Sequence, residues 1–200
     1  GVYDILSAVV ISSPCDTLKC MGQKWKGASP VIQFVHPQNR NLPSANDFLV
    51  EEYKLIRSKL ENILGVKITN EAINAAIDVY NENRKVMREF TEIAGDYSKT
   101  ITPAKRHAVI KSRFFMDKAE HTAVVKELIA ELKAMPKEPA EGKKVILTGI
   151  TAEPDSMLDI FEEFGLTVVA DDLAQESRQF RVDVPDGEEP LMRLAKQWQN

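Results

Sequence analysis

The chain has 200 residues, 44% hydrophobic and 28% charged, with a formal net charge of −4. That balance describes an ordinary folded chain, long enough for one large or two small domains, and excludes a disordered one. The acidic excess argues against nucleic acid as a partner, because neutralising phosphates calls for a basic surplus. No apolar run approaches the length of a membrane span, which argues against a membrane.

Two cysteines exclude a disulfide-rich secreted module. The start, Gly1-Val2-Tyr3-Asp4, has neither the basic flank nor the hydrophobic stretch of a signal peptide. A cytoplasmic location is expected. There is no initiator methionine, and the helix-like segment 188–200 lacks a terminating cap, so the chain is expected to be an internal fragment.

The apolar run 5–11 reads as a first strand. It stops at Ser12-Ser13-Pro14-Cys15, where a polar, helix-like segment carrying Leu18, Met21 and Trp25 begins. A strand that turns into a helix there puts Cys15 in the first helical turn. Backbone N–H groups and the helix dipole favour a thiolate at such a place, the form needed of a nucleophile or a metal ligand. The competing reading is a small buried cysteine filling the junction. Cys20 faces elsewhere, because five residues of helix turn the chain by about 500° and leave the two sulfurs roughly 140° apart. The pair also lacks the CxxC spacing of zinc or redox dithiol sites.

Residues 30–35 read as a second buried strand, so strand, helix and strand form a βαβ unit with a parallel sheet. His36-Pro37-Gln38 then joins Cys15 at the carboxyl ends of neighbouring strands, the edge where ligands of open α/β sheets bind. Residues 44–135 read as helical throughout. Ser44 with Asp47 resembles a capping box before Leu49, Tyr53, Ile56, Leu60 and Ile63, and Gly65 ends that helix. Thr69 opens the next, with Ile73, Ile77, Tyr80, Met87, Phe90 and Ala94 on one face. Thr102-Pro103 and Asp117 with Glu120 start two more.

Residues 137–142 combine proline, charge and glycine and read as a linker. A second βαβ unit follows, with strands at 144–148 and 167–170 around a helix at 154–164. Residues 1–136 are therefore expected to hold a first α/β domain with a helical insertion at 44–135, and 143–200 to begin a second.

Gly149-Ile150-Thr151-Ala152-Glu153 sits where a dinucleotide fingerprint would lie but lacks its second and third glycines. His36 is a candidate base or ligand, against a hydrogen-bonded structural role. Asp171-Asp172 can orient substrate or simply cap a turn. His107 and His121 lie in charged, helical surroundings and are expected at the surface. Lys19, Lys24 and Lys26 around Trp25, and Lys105, Arg106, Lys111 and Arg113, are expected to be solvated, with a landing site for an anionic tail as the alternative.

Four stretches carry a resemblance. They are Cys15-Asp16-Thr17-Leu18-Lys19-Cys20-Met21-Gly22-Gln23-Lys24-Trp25-Lys26, Gln33-Phe34-Val35-His36-Pro37-Gln38-Asn39-Arg40, Tyr80-Asn81-Glu82-Asn83-Arg84 and Ala170-Asp171-Asp172-Leu173-Ala174-Gln175-Glu176-Ser177-Arg178. Together they resemble the component D subunits of 2-hydroxyacyl-CoA dehydratases, the 2-hydroxyglutaryl-CoA type in particular, over essentially the whole chain. The resemblance implies two parallel-sheet, Rossmann- or flavodoxin-like domains with a helical layer between them. It implies a [4Fe-4S] cluster held by three cysteines, of which Cys15 is the middle one and Cys20 is none, and it leaves room for a flavin.

The chemistry implied is loss of water from an (R)-2-hydroxyacyl-CoA. The β-hydrogen of such a thioester is not acidic, so an injected electron first turns the carbonyl into a ketyl radical, which expels the hydroxyl. Implied partners are a sister subunit in a heterodimer, an ATP-dependent iron–sulfur activator and the acyl-CoA. A benzoyl-CoA-reductase-like subunit and a non-catalytic structural subunit are the alternatives. His36, Glu153, Asp171 and Arg178, at or beyond the strand ends, are expected to converge on the Cys15 pocket as catalytic groups.

Overall fold

The computed structural model describes residues 2–138 and 140–200. Among them are two two-stranded parallel sheets and seven α-helices, an α/β fold. The chain forms two compact units, Gly1–Ala75 with Val184–Asn200, and Ala76–Asp183.

In the first unit β1 (Val9–Ser12) pairs with β2 (Val31–Phe34), Val9 opposite Val31 and Ser12 opposite Phe34. The strand expected from residue 5 starts later, and Val2–Ile5 form a 3-10 turn instead. A strand reaches only as far as its partner, and β2 is preceded by Pro30, which has no N–H to extend the ladder. Helix α1 (Asp16–Lys24) connects the two strands. Gly22 lets β2 approach it closely: a Cβ there would lie 2.0 Å from Gln33 Nε2, which donates to the Lys19 carbonyl at 3.0 Å.

Helices α2 (Ala45–Leu64) and α7 (Pro190–Gln199) supply the first core. Leu49, Val50, Leu191 and Ala195 are buried, with Phe34, Tyr53 and Trp198 packed against them. Burying a side chain such as Leu49 contributes about 1.5–3 kcal/mol. Residues 184–200, expected with the second βαβ unit, thus pack in the first, because the apolar face of α7 is buried there. Ser44 does not cap α2: its own backbone is already helical, whereas a capping side chain needs an extended residue. Glu189 caps α7, accepting from Leu191 N and Met192 N.

Helix α3 (Asn70–Ala94) belongs to the first unit up to Ala75 and to the second beyond it. Thr69 caps it as expected, its Oγ1 accepting from Ala72 N at 3.2 Å. Ile77, Met87, Phe90 and Ala94 are buried, but Tyr80 is exposed, its ring flanked by the Arg84 and Lys118 cations. Helices α4 (Pro103–Ser112) and α5 (Lys118–Ala134) start at the expected caps, Thr102 and Asp117. Ile110, Val125, Ile129 and Leu132 close the second core over Met87 and Phe90.

Strand β3 (Lys143–Gly149) pairs in parallel with β4 (Leu166–Leu173), and α6 (Asp155–Glu163) crosses between them. Leu158 of α6 packs on Ala152 and Leu173. Gly142 leads into β3 with φ +87°, and a Cβ there would sit 2.1 Å from the Gly165 carbonyl oxygen, so only glycine fits. Residues 137–142 fall inside the second unit, where Glu138 N donates to Asp96 O at 2.7 Å. Pro139 lies outside the described residues. No helix among the described residues is long and apolar enough to cross a membrane.

Candidate functional site

The chemistry-bearing residues collect at the carboxyl edges of the two sheets. In the first unit the chain leaves β1 still extended, Ser13 N donating to Phe34 O at 2.9 Å. That carries Cys15 to the N-cap of α1 (φ −145°, ψ 163°) rather than into its first turn. The Cys15 side chain makes no capping hydrogen bond and is exposed, as is Cys20. Cys15 therefore presents a thiol at a helix N-terminus with no partner among the cap amides.

His36, two residues past β2, occupies the same edge. Its ring stacks on Trp198 at 5.3 Å and tilts against Phe34 at 4.9 Å. Burial in this aromatic sleeve lowers its pKa, against the opposing pull of the Glu52 charge. Nδ1 is buried without a hydrogen-bond partner.

The edge of the second unit is a chain of ion pairs. Asp171, at the end of β4, has a fully buried side chain. Its Oδ1 accepts from Leu173 N and Ser177 N, and its Oδ2 accepts from Arg106 Nη2 at 2.5 Å. Burial alone would raise its pKa, yet the Arg106 charge and the two backbone donors outweigh that and lower it. Arg106 Nη1 donates to Glu176 Oε2 at 2.9 Å, and Glu176 Oε1 accepts from His107 Nδ1 at 2.8 Å. His107 Nε2 faces Glu153 Oε1 at 3.5 Å, too far for a direct hydrogen bond. Lys111 Nζ donates to Glu153, and that bond lowers the Glu153 pKa.

Arg178 lies outside this chain, in an exposed two-pronged pair with Asp172 at 2.9 and 2.6 Å. The pairing lowers the pKa of Asp172 and raises that of Arg178. The expected group thus divides by unit: Cys15 and His36 share one edge, while Glu153 and Asp171 are linked through Arg106, Glu176 and His107 on the other.

Two expectations are corrected. His107 and His121 are not surface residues but 6% and 1% exposed. Arg106 and Arg113, expected in solvent, are buried as well. His121 Nδ1 and Thr122 Oγ1 both meet Asn83 Nδ2 at 3.0 Å, and Arg113 Nε donates to Asn83 Oδ1 at 2.6 Å. Each buried polar group here survives because a partner distant in sequence meets it. The available signal was the adjacent Arg106-His107 pair one turn inside α4, together with the acidic run after β4.

As a metal site the donor set is partial. Among the described residues no three His, Cys, Asp or Glu side chains gather as metal ligands. Cys15 fits the contribution of one sulfur ligand from an open position, and among the described residues nothing around it completes a set.

Residues 1–200 match the family 2-hydroxyglutaryl-CoA dehydratase, D-component. The chain is 62% identical over 200 residues to the lactoyl-CoA dehydratase subunit beta of Anaerotignum propionicum. It is 46% identical over 203 residues to the (R)-phenyllactyl-CoA dehydratase beta subunit of Clostridium sporogenes, and 37% identical over 203 residues to the (R)-2-hydroxyglutaryl-CoA dehydratase subunit beta of Acidaminococcus fermentans. These alignments cover 100%, 100% and 99% of this chain but 54% of each relative, so the chain spans about half the length of the curated relatives it matches. The chain belongs to the 2-hydroxyglutaryl-CoA dehydratase D-component family.

Proposed function

We propose that this chain is part of the beta subunit of a 2-hydroxyacyl-CoA dehydratase acting on a short thioester of the lactoyl kind. Identity of 62% to the lactoyl-CoA relative against 37% to the 2-hydroxyglutaryl-CoA one supports that substrate over 2-hydroxyglutaryl-CoA. The observation that carries the reading is Cys15, an uncapped, exposed thiol at the N-cap of α1 and at the carboxyl end of β1.

In this reading Cys15 is one ligand of a [4Fe-4S] cluster, the other ligands lying outside these residues. When bound, such a cluster supplies the single electron that lets the hydroxyl beside the thioester carbonyl depart. His36 serves as a proton-handling group at the same edge, its Nδ1 being free of hydrogen bonds and its ring kept in the neutral form by burial. Phe34 and Trp198 pack against that ring and hold it in place.

Asp171 has both oxygens engaged within the chain, so its role is to position Arg106 rather than to touch substrate. Arg178 acts through Asp172 in the same way. Glu153 is the group of the second edge open to a ligand, with 42% of its side chain exposed. The same reading includes a sister subunit, an ATP-dependent iron–sulfur activator, a cytoplasmic setting and Rossmann-like domains in the full-length subunit.

The test is Cys15→Ala in the full-length complex, purified without oxygen. Iron content should fall, and dehydration of lactoyl-CoA should drop at least about 100-fold, more than the loss of an outer-shell partner produces. Cys20→Ala should leave both unchanged. Unaltered iron in the Cys15 variant removes the reading.

A further inference from the structure

A pocket of about 330 Å3 opens at the carboxyl edge of the second sheet. Its apolar wall is Ile110, Phe114 and Phe115, with Phe114 and Phe115 52% and 79% exposed. Its polar side is His107, Lys111, Glu153, Gln175, Glu176 and Gln179. Two aromatic rings left in solvent beside a ring of polar groups are the composition of a small-molecule site rather than of a finished surface.

The chemistry of the polar side is set by His107. Glu176 is a carboxylate acceptor already held by Arg106, so the His107 proton is assigned to Nδ1, where Glu176 takes it. Nε2 is then a lone-pair acceptor, 3.5 Å from the Glu153 carboxylate, and it has no hydrogen-bond partner. Glu153 Oε1 already accepts from Lys111 Nζ, so Nε2 is the acceptor left without a donor. An unpaired buried acceptor of this kind costs stability, and a ligand that brings the donor recovers it.

We propose that this pocket binds a hydroxyl group flanked by hydrocarbon, with His107 Nε2 accepting the hydroxyl hydrogen and the Phe114–Phe115 wall covering the hydrocarbon. The hydroxyl has one hydrogen to give and Nε2 takes it, while Glu153, whose Oε1 already accepts from Lys111 Nζ, moves outward to admit the hydroxyl oxygen. Both partners of the Lys111–Glu153 pair are nearly half exposed, so they can move together without breaking it. Gln175 and Gln179 offer amide donors and acceptors to whatever adjoins the hydroxyl.

On the dehydratase reading, on which the choice of probes rests, one thioester carries this chemistry in two places. One is the 2-hydroxyl of the acyl group, and the other is the secondary hydroxyl beside the gem-dimethyl carbon of the pantetheine arm. Three probes separate them. S-lactoyl-N-acetylcysteamine has only the acyl hydroxyl, pantetheine has only the arm hydroxyl, and S-propionyl-N-acetylcysteamine has neither.

Dissociation constants are measured by titration against the full-length complex. At least one hydroxylated probe should bind about five- to tenfold more tightly than the propionyl probe, the range one hydrogen bond supports. His107→Phe should abolish the preference, and His107→Gln, which keeps an acceptor, should restore part of it. Phe115→Asp, at a side chain too exposed to disturb folding, should weaken whichever hydroxylated probe is preferred even if the His107 variants fail to fold.

Equal binding of all three probes to the native complex overturns the proposal, as does a preference that survives His107→Phe or affinities indifferent to Phe115→Asp. Turnover of lactoyl-CoA is scored separately. Turnover without a hydroxyl preference removes the pocket and leaves the dehydratase reading standing. A hydroxyl preference that follows His107, in a complex that dehydrates no 2-hydroxyacyl thioester, upholds the pocket and removes that reading.

Discussion

The two sheet edges solve opposite problems. At the first, Cys15 has no capping bond and His36 Nδ1 has no partner, and what surrounds the histidine is aromatic. At the second, Asp171, Arg106, Glu176 and His107 form a continuous chain of charged contacts, with only Nε2 at its far end unmatched. Polar groups left open at a strand end are the ones free to meet a ligand, whereas a satisfied network holds its members still. The difference teaches that strand-end position alone does not make a residue reactive. What decides is whether its polar atoms are already spent within the chain.

The sharpest way to break that contrast is Arg106→Ala. It leaves the Asp171 and Glu176 carboxylates buried without their cation, and removing one partner of a buried ion pair costs about 3–5 kcal/mol. Urea denaturation of the full-length chain should show a loss of that size. A loss under about 1 kcal/mol would mean that the network is not what holds the second edge together.

A smaller effect is expected from Gly142→Ala, which perturbs the second sheet from the end opposite the network. Its positive φ and the nearby Gly165 carbonyl force the backbone to shift, at a cost of about 1–3 kcal/mol. The Gln33–Lys19 contact in the first unit should keep its amide exchange rate. A matching loss of protection in both units would contradict the division into two compact bodies.

The smallest effect separates the edges by pH. Burial lowers the His36 pKa below 6.5, so the unfolded chain takes up that proton first as the medium is acidified. Its contribution is therefore complete above pH 6.5 and is lost as pH falls through the folded value. Asp171 is lowered below 3.8, so its contribution persists until the pH falls beneath that. His121 titrates in the same direction as His36, again through burial, so the test is the difference made by one residue. Thermal melts of His36→Phe should show a shallower decline below pH 6.5 than the native chain and the same decline below pH 4. An identical profile across the whole range would mean that the histidine is solvated.

Much of the layout was legible because it is written in short-range pattern. Val31 to Phe34 is a short apolar, partly β-branched run like a buried strand, and Thr102-Pro103 and Asp117 carry helix starts in two or three residues. Both βαβ units follow from such signals. Cys15 and His36 were legible as edge residues for the same reason, since each lies within three residues of a strand end. Ser44 misled because a capping side chain looks the same in sequence whether or not the preceding backbone is extended. Residues 184–200 misled because the apolar face of α7 matches any core equally well, and nothing local states which one.

The sequence by itself determined the class of fold, the parallel pairing within each βαβ unit and the family, because these rest on periodicity, caps and long contiguous motifs. Only the tertiary structure decided that Arg106 and His107 are buried and that Glu176 is their common partner. Those contacts join positions separated by 70 and 69 residues. A charged side chain is written identically whether it faces water or a distant carboxylate. Its burial is tolerable only once that partner arrives, and the arrival is a property of packing rather than of any local stretch of chain.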